Sequence, residues 1–116
     1  MQRLKKRSEF LAAARAGKTA MPGLVMQARP RGDDLPPRTG FTASKKVGNA
    51  VARNRAKRRM RVLARQVVAK LARPGFDYVL IARASTLDRR FGDLVADTEN
   101  AIEKLHRQHD ARQQTP

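Results

Sequence analysis

From Leu35 through Phe76 the chain carries twelve lysines and arginines and no acidic residue. Seven of these cations, six Arg and one Lys, fall between Ala50 and Gln66, interleaved with apolar residues. Gly48 and Asn49 punctuate the chain before this run, and Pro74 and Gly75 close it. Asn49 suits an N-cap, so the pattern predicts one long helix from about Ala50 to Ala72. At 3.6 residues per turn, Ala52, Ala56, Met60, Leu63, Val67 and Leu71 share a face that must be covered. Arg58, Arg61 and Arg65 fall opposite, with Arg53, Arg55, Lys57 and Arg59 on the flanks. A merely solvated helix face mixes its charges, because like charges one turn apart cost a few tenths of a kcal/mol per pair. This face does not mix them, so something outside the helix has to offset the repulsion.

The remainder of the chain is short enough to build one small domain around that helix: 116 residues, 41% hydrophobic but only 4% aromatic, which predicts an aliphatic core. Ser8 as N-cap and Gly17 as stop predict a first helix with Phe10, Leu11 and Ala14 on its apolar face. "GLVMQAR" reads as a strand between breakers, "RPRGDDLPPR" as a surface loop, and "TGFTASKK" as a second strand antiparallel to the first. "FDYVLIAR" is almost continuously apolar, which places it centrally in a sheet. "STLDRRFGD" reads as a loop. Leu94, Thr98, Ala101, Ile102 and Leu105 give a last helix from Asp93 to about His109, and "DARQQTP" reads as a frayed end. The order is helix, strand, strand, helix, strand, helix. That is an α+β domain with helices layered on a small sheet, folded over about residues 8–109 with flexible ends.

With 26 basic against 10 acidic residues the formal charge is +16, and six of the ten acids lie after residue 80. A charge this large and this segregated seeks a polyanion, and nucleic acid is the first candidate. The preference for Arg over Lys favours phosphate, which a planar guanidinium grips through two parallel hydrogen bonds. Neutralising about six to ten phosphates predicts a loss of affinity of about a thousandfold or more between about 50 and 200 mM salt.

Cysteine is absent, so no disulfide or thiolate chemistry is available and a cytoplasmic setting is expected. Arg15 and Lys18 interrupt the N-terminal apolar run too early for a signal peptide, and no stretch has the length of a membrane span. His106 and His109 are three apart on the last helix, a spacing read as solvated side chains rather than metal ligands. Asp93 and Asp97 are read as acids favoured by a helix N-terminus. No nucleophile–base pair or phosphate loop stands out, so the polypeptide alone is not expected to catalyse.

"SKKVGNAVARNRAKRRMR", preceded by "GFT", resembles the bacterial ribonuclease P protein family, whose hallmark is an Arg-Asn-Arg core followed by further basic residues on one long helix. "RLKKRSEF", "FDYVLIAR" and "AIEKL" extend the resemblance along most of the chain in the family's order. The resemblance implies an αββαβα sandwich on a small mixed sheet, with a left-handed βαβ crossover. It implies assembly with a catalytic RNA subunit that uses Mg2+, and assistance in removing the 5′ leader of precursor tRNA. Homo-oligomers and membranes are not implied, nor is any metal or cofactor held by the protein itself.

Carried onto this sequence, the resemblance makes Lys45, Lys46, Arg53, Asn54, Arg55, Lys57, Arg58, Arg59, Arg61 and Arg65 the RNA-contact candidates. Asn54 has two readings, a hydrogen bond to RNA or a brace for the local backbone. The family's leader cleft, between the first helix and the sheet, implies Phe10, Val25, Gln27 and Phe41. Ala14 and Gln27 stand where the family has aromatic residues. Phe10 reads equally as core, and Val25 and Phe41 are expected on one sheet face, chiefly as packing. The alternative function is that of a basic RNA-binding protein of ribosomal type, which composition does not separate from the first. A DNA-binding helix and a stand-alone nuclease are further rivals.

Overall fold

A computed structural model describes residues 1–114. In chain order it contains β1 (Gln2–Arg3), α1 (Arg7–Ala14), β2 (Gly17–Ala20), β3 (Leu24–Pro30), β4 (Arg38–Thr42) and α2 (Ala50–Leu63). A π-helical segment (Ala64–Val68) and a short turn α3 (Ala69–Leu71) continue α2, followed by β5 (Phe76–Ala82), a 3-10 turn (Ala84–Thr86) and α4 (Phe91–Gln113). The five strands form one mixed sheet in the order β1-β4-β5-β3-β2.

β5 is central, as its apolar run predicts. It pairs in parallel with β4 and antiparallel with β3. The strands β3 and β4 therefore run in opposite directions, as expected, but they are not neighbours, because β5 lies between them. Two strands were not expected. Gly17–Ala20 pairs with Val25–Ala28 as a hairpin, and Gln2–Arg3 adds a short edge strand parallel to β4.

The alternation of side chains along each strand divides the core in two. Leu24, Met26, Phe76, Tyr78 and Leu80 face α2 and α4, where Ala56, Met60, Leu63, Leu94, Ala101 and Ile102 complete the larger cluster. On the opposite face Val79 and Ile81 meet Leu4, Phe10 and Ala13 beneath α1. The helix α1 begins one residue before the expected cap. Glu9 Oε1 accepts the backbone N–H groups of Lys5 and Lys6 at 3.1 and 2.9 Å, which draws the start back to Arg7. Its core-facing residues are Ala13, which is buried, and Phe10, which is half-buried, rather than Phe10, Leu11 and Ala14, and Leu11 is 47% exposed.

The long helix starts where predicted: Asn49 Oδ1 accepts from Ala52 N at 2.9 Å. Gly48 precedes it at φ +146°, in backbone territory that a side chain resists. Within the π-helical segment Ala64, Val67 and Val68 are buried, so the apolar face of the helix continues through it. The last helix is longer than expected at both ends, and Asp110 through Gln113 are helical rather than frayed. Thr115 and Pro116, also assigned to that end, lie outside the described residues.

Candidate nucleic-acid interface

The apolar stripe of α2 binds it to the sheet and so turns the basic residues outward. Ala56, Met60 and Leu63 are buried. Asn54, Arg55, Arg58 and Arg65 are exposed, and Arg53, Lys57 and Arg61 are half-buried along the flanks. Lys45 and Lys46 are exposed in the turn that enters the helix.

Among the described residues every ion pair uses Arg29, Arg31, Arg38, Arg73 or Arg89. None involves Lys45, Lys46 or a cation of α2. The helix thus holds its positive field without an internal counter-charge among the described residues. Asp77 shows the contrast. It is fully buried in β5, with Arg31 and Arg38 donating to it at 2.7 to 2.9 Å and Arg29 at 3.4 Å. Burial alone would raise its pKa, but the hydrogen bonds from Arg38 and Arg31 outweigh burial and hold it below the ordinary Asp value.

Arg59 differs from its neighbours. It donates to the carbonyls of Thr86, Leu87 and Arg89 at 2.6, 2.9 and 2.7 Å, and its guanidinium lies 5.8 Å from the centre of the Phe91 ring. Its donors therefore pin the turn before α4. Arg61 is half-buried, and its Nε is shielded from solvent without a hydrogen-bond partner among the described residues.

The four leader-cleft candidates divide between the two faces of the sheet, three against one. In register, Val25 faces Ile81 and Gln27 faces Val79, on the α1 side. Phe10 joins them there: its ring covers Gly40 so closely that a Cβ on residue 40 would lie 2.5 Å from Phe10 Cε1. Phe41 is in register with Leu80, one residue out of phase, and so lies on the α2 side. Val25 and Phe41 thus occupy opposite sheet faces, contrary to expectation. Gln27 is buried, while Phe10 and Val25 are half-buried.

His106 is not a solvated side chain. It is buried against Tyr78, whose hydroxyl lies 2.7 Å from His106 Nε2, and burial lowers its pKa to about 4. His109 packs edge-on against Phe76 at 5.0 Å. Asp97 is also structural, accepting from Gly23 N at 3.0 Å and from Arg89 Nε at 2.6 Å. No group of three His, Cys, Asp or Glu suited to a metal ion occurs among the described residues. No helix there is long and apolar enough to cross a membrane. Arg3 escaped the sequence reading altogether: its guanidinium lies 5.4 Å from the centre of the Phe41 ring, a contact that no local pattern announces.

A mixed sheet that seats one long helix with an acid-free arginine surface defines a small α+β protein built to bind a polyanion. A family model for ribonuclease P matches residues 1–106, and the chain belongs to that family. It is 55% identical over 106 residues to the ribonuclease P protein component of Ruegeria pomeroyi, covering 89% of this chain and 85% of that protein. To the ribonuclease P protein component of Gluconacetobacter diazotrophicus it is 50% identical over 103 residues, covering 88% and 89%. The solved RNase P protein of Thermotoga maritima superposes with a TM-score of 0.73 at 26% identity, over 90% of this chain and 97% of that one. That of Staphylococcus aureus gives 0.70 at 27% identity, over 89% and 87%.

Proposed function

We propose that this chain is the protein subunit of a ribonuclease P ribonucleoprotein. It binds the catalytic RNA subunit and helps that RNA remove the 5′ leader of precursor tRNA. The observation that carries the reading is the lack of any internal counter-charge for α2 among the described residues. Arg53, Asn54, Arg55, Lys57, Arg58, Arg61 and Arg65, with Lys45 and Lys46 at the helix entry, form the RNA-facing surface. Arg59 supports that surface from behind. RNA phosphates supply the missing anions, and the arginines in turn reduce the repulsion that the RNA meets on folding and on binding a second RNA. The Mg2+ used in cleavage belongs to the RNA subunit, and the protein contributes binding and charge.

The leader runs along the α1 side, past Phe10, Val25 and Gln27. With Ala14 and Gln27 in place of aromatic rings, that surface holds a strand by shape and backbone contact more than by base stacking.

Reconstitution with a bacterial ribonuclease P RNA tests the reading. At low Mg2+ the protein should stimulate cleavage of a precursor tRNA at the mature 5′ end. Absence of stimulation at saturating protein would refute it.

A further inference from the structure

Phe41, excluded from the α1 side by strand register, is one wall of a different groove. A surface cavity of about 430 Å³ lies between the sheet edge and the second half of the long helix. Arg3, Thr39 and Phe41 line it from β1 and β4, and Arg61, Ala64 and Arg65 line it from the helix. A smaller cavity of about 180 Å³, lined by Arg3, Phe41, Lys57 and Arg61 among others, continues it toward Phe10 around the open end of β1. The edge strand β1 pairs with β4 only through residues 2 and 3, so β4 is left uncovered beyond Thr39 apart from Leu4.

Three independent features converge here. The Phe41 ring is half-buried, with the Arg3 guanidinium 5.4 Å from its centre, so a flat apolar surface is paired with a cation. Arg61, half-buried on the long helix, lines both cavities and belongs to no ion pair described. Arg65, exposed and outside every ion pair described, stands one helical turn further on. An aromatic face beside a cation, with two guanidinia that have no counter-charge among the described residues, suits one kind of ligand: a flat, hydrogen-bonding ring joined to a phosphate.

We propose that the groove between β4 and the long helix takes an unstacked nucleotide of RNA. The base lies against Phe41 beside Arg3, a base acceptor meets Arg61, and the adjoining phosphate meets Arg65. The inference rests on the RNA-binding reading and deepens it. RNA would contact the helix not only through phosphates but also through one base held out of the stack, in a groove on the other side of the sheet from α1. The nucleotide comes either from the catalytic RNA or from the precursor leader.

Fluorescence anisotropy with 3′-labelled hexauridylate, and with a hexamer of the same backbone lacking bases, tests the stacking directly. Phe41→Leu keeps an apolar side chain on the core and should weaken hexauridylate about five- to a hundredfold, the range for loss of one stacked base. The abasic hexamer should bind both proteins equally. Arg3→Gln, at an exposed edge, should weaken hexauridylate in the same direction without altering the melting temperature, which separates the groove from any packing defect in Phe41→Leu. Equal hexauridylate affinity for wild type and both variants would overturn the groove. The same variants, with Arg53→Gln/Arg55→Gln alongside, are then titrated into ribonuclease P RNA and into precursor tRNAs of differing leader length. A loss seen with the RNA subunit alone supports the groove and assigns the nucleotide to that RNA. A loss that appears only with long leaders supports it and assigns the nucleotide to the leader. If Arg53→Gln/Arg55→Gln weakens RNA assembly while the groove variants weaken neither assembly nor the binding of any precursor, the groove falls and the general reading stands. If none of the variants weakens assembly or precursor binding, both fall.

Discussion

Arg29, Arg31 and Arg38 converge on one buried carboxylate, Asp77, whereas Arg53, Arg55, Arg58, Arg61 and Arg65 face no acid among the described residues. Both groups are arginine-rich and both adjoin the same sheet. In the first, Arg31 also donates to the carbonyls of Leu35, Pro36 and Phe76, so its guanidinium ties the loop before β4 to the start of β5. In the second, no guanidinium meets a carboxylate among the described residues, and Arg55, Arg58 and Arg65 are exposed. Arginine content therefore says little about RNA binding until the acids are located. One aspartate turns a cluster of cations into a structural tie, and its absence leaves a surface that attracts phosphate.

The largest test of this contrast removes the acid. Asp77→Asn leaves three guanidinia around an uncharged amide and should cost about 3 kcal/mol or more of folding stability, measured by urea denaturation. Arg55→Gln should stay within about 0.5 kcal/mol. If the two variants proved equally stable, the distinction would fail. Acid should act in the same direction as the substitution. Because Asp77 titrates below 3.8 in the folded chain, its contribution is present at neutral pH and is lost as pH falls below that value.

Salt sharpens the comparison from the RNA side. Arg53→Gln/Arg55→Gln should reduce the dependence of log affinity on log salt by about two, whereas Arg38→Gln should leave the slope unchanged, as read by filter binding with the RNA subunit. A shallower slope for Arg38→Gln would place the Asp77 cluster on the RNA as well.

The smallest effect lies within the helix itself. Arg59→Met loses three hydrogen bonds to carbonyls and should cost about 1–3 kcal/mol of stability, while Arg58→Met, one residue away, should cost less than about 0.5. Equal costs would show that the carbonyl contacts of Arg59 contribute nothing.

Much of the frame was legible because it rests on local chemistry. Asn49 as a cap, the stripe from Ala56 to Leu63 and the apolar run of β5 each follow from spacing and residue type. What escaped depends on partners distant in sequence. The strands β1 and β2 are too short to show a pattern, and backbone pairing alone defines them. Whether β3 and β4 touch is decided by β5, nearly forty residues after β4 begins. Arg58 and Arg59 look interchangeable until the turn at Thr86 is placed beside one of them. The face of Phe41 depended on a one-residue phase that only the register with Leu80 fixes. Asp77 did leave a sign: a lone acid inside an apolar strand must find cations or stay neutral.

The central place of β5 also bears on how the chain comes together during synthesis. It is the last strand to be made, yet it bonds to strands on both sides. Until Ala82 has emerged, β4 can pair only with the two-residue β1 and β3 only with β2, so two strand edges wait for a common neighbour. The long basic helix precedes β5 and is complete before its own docking site exists. A nascent chain at that stage offers its arginines to any nearby RNA before the sheet has closed beneath them.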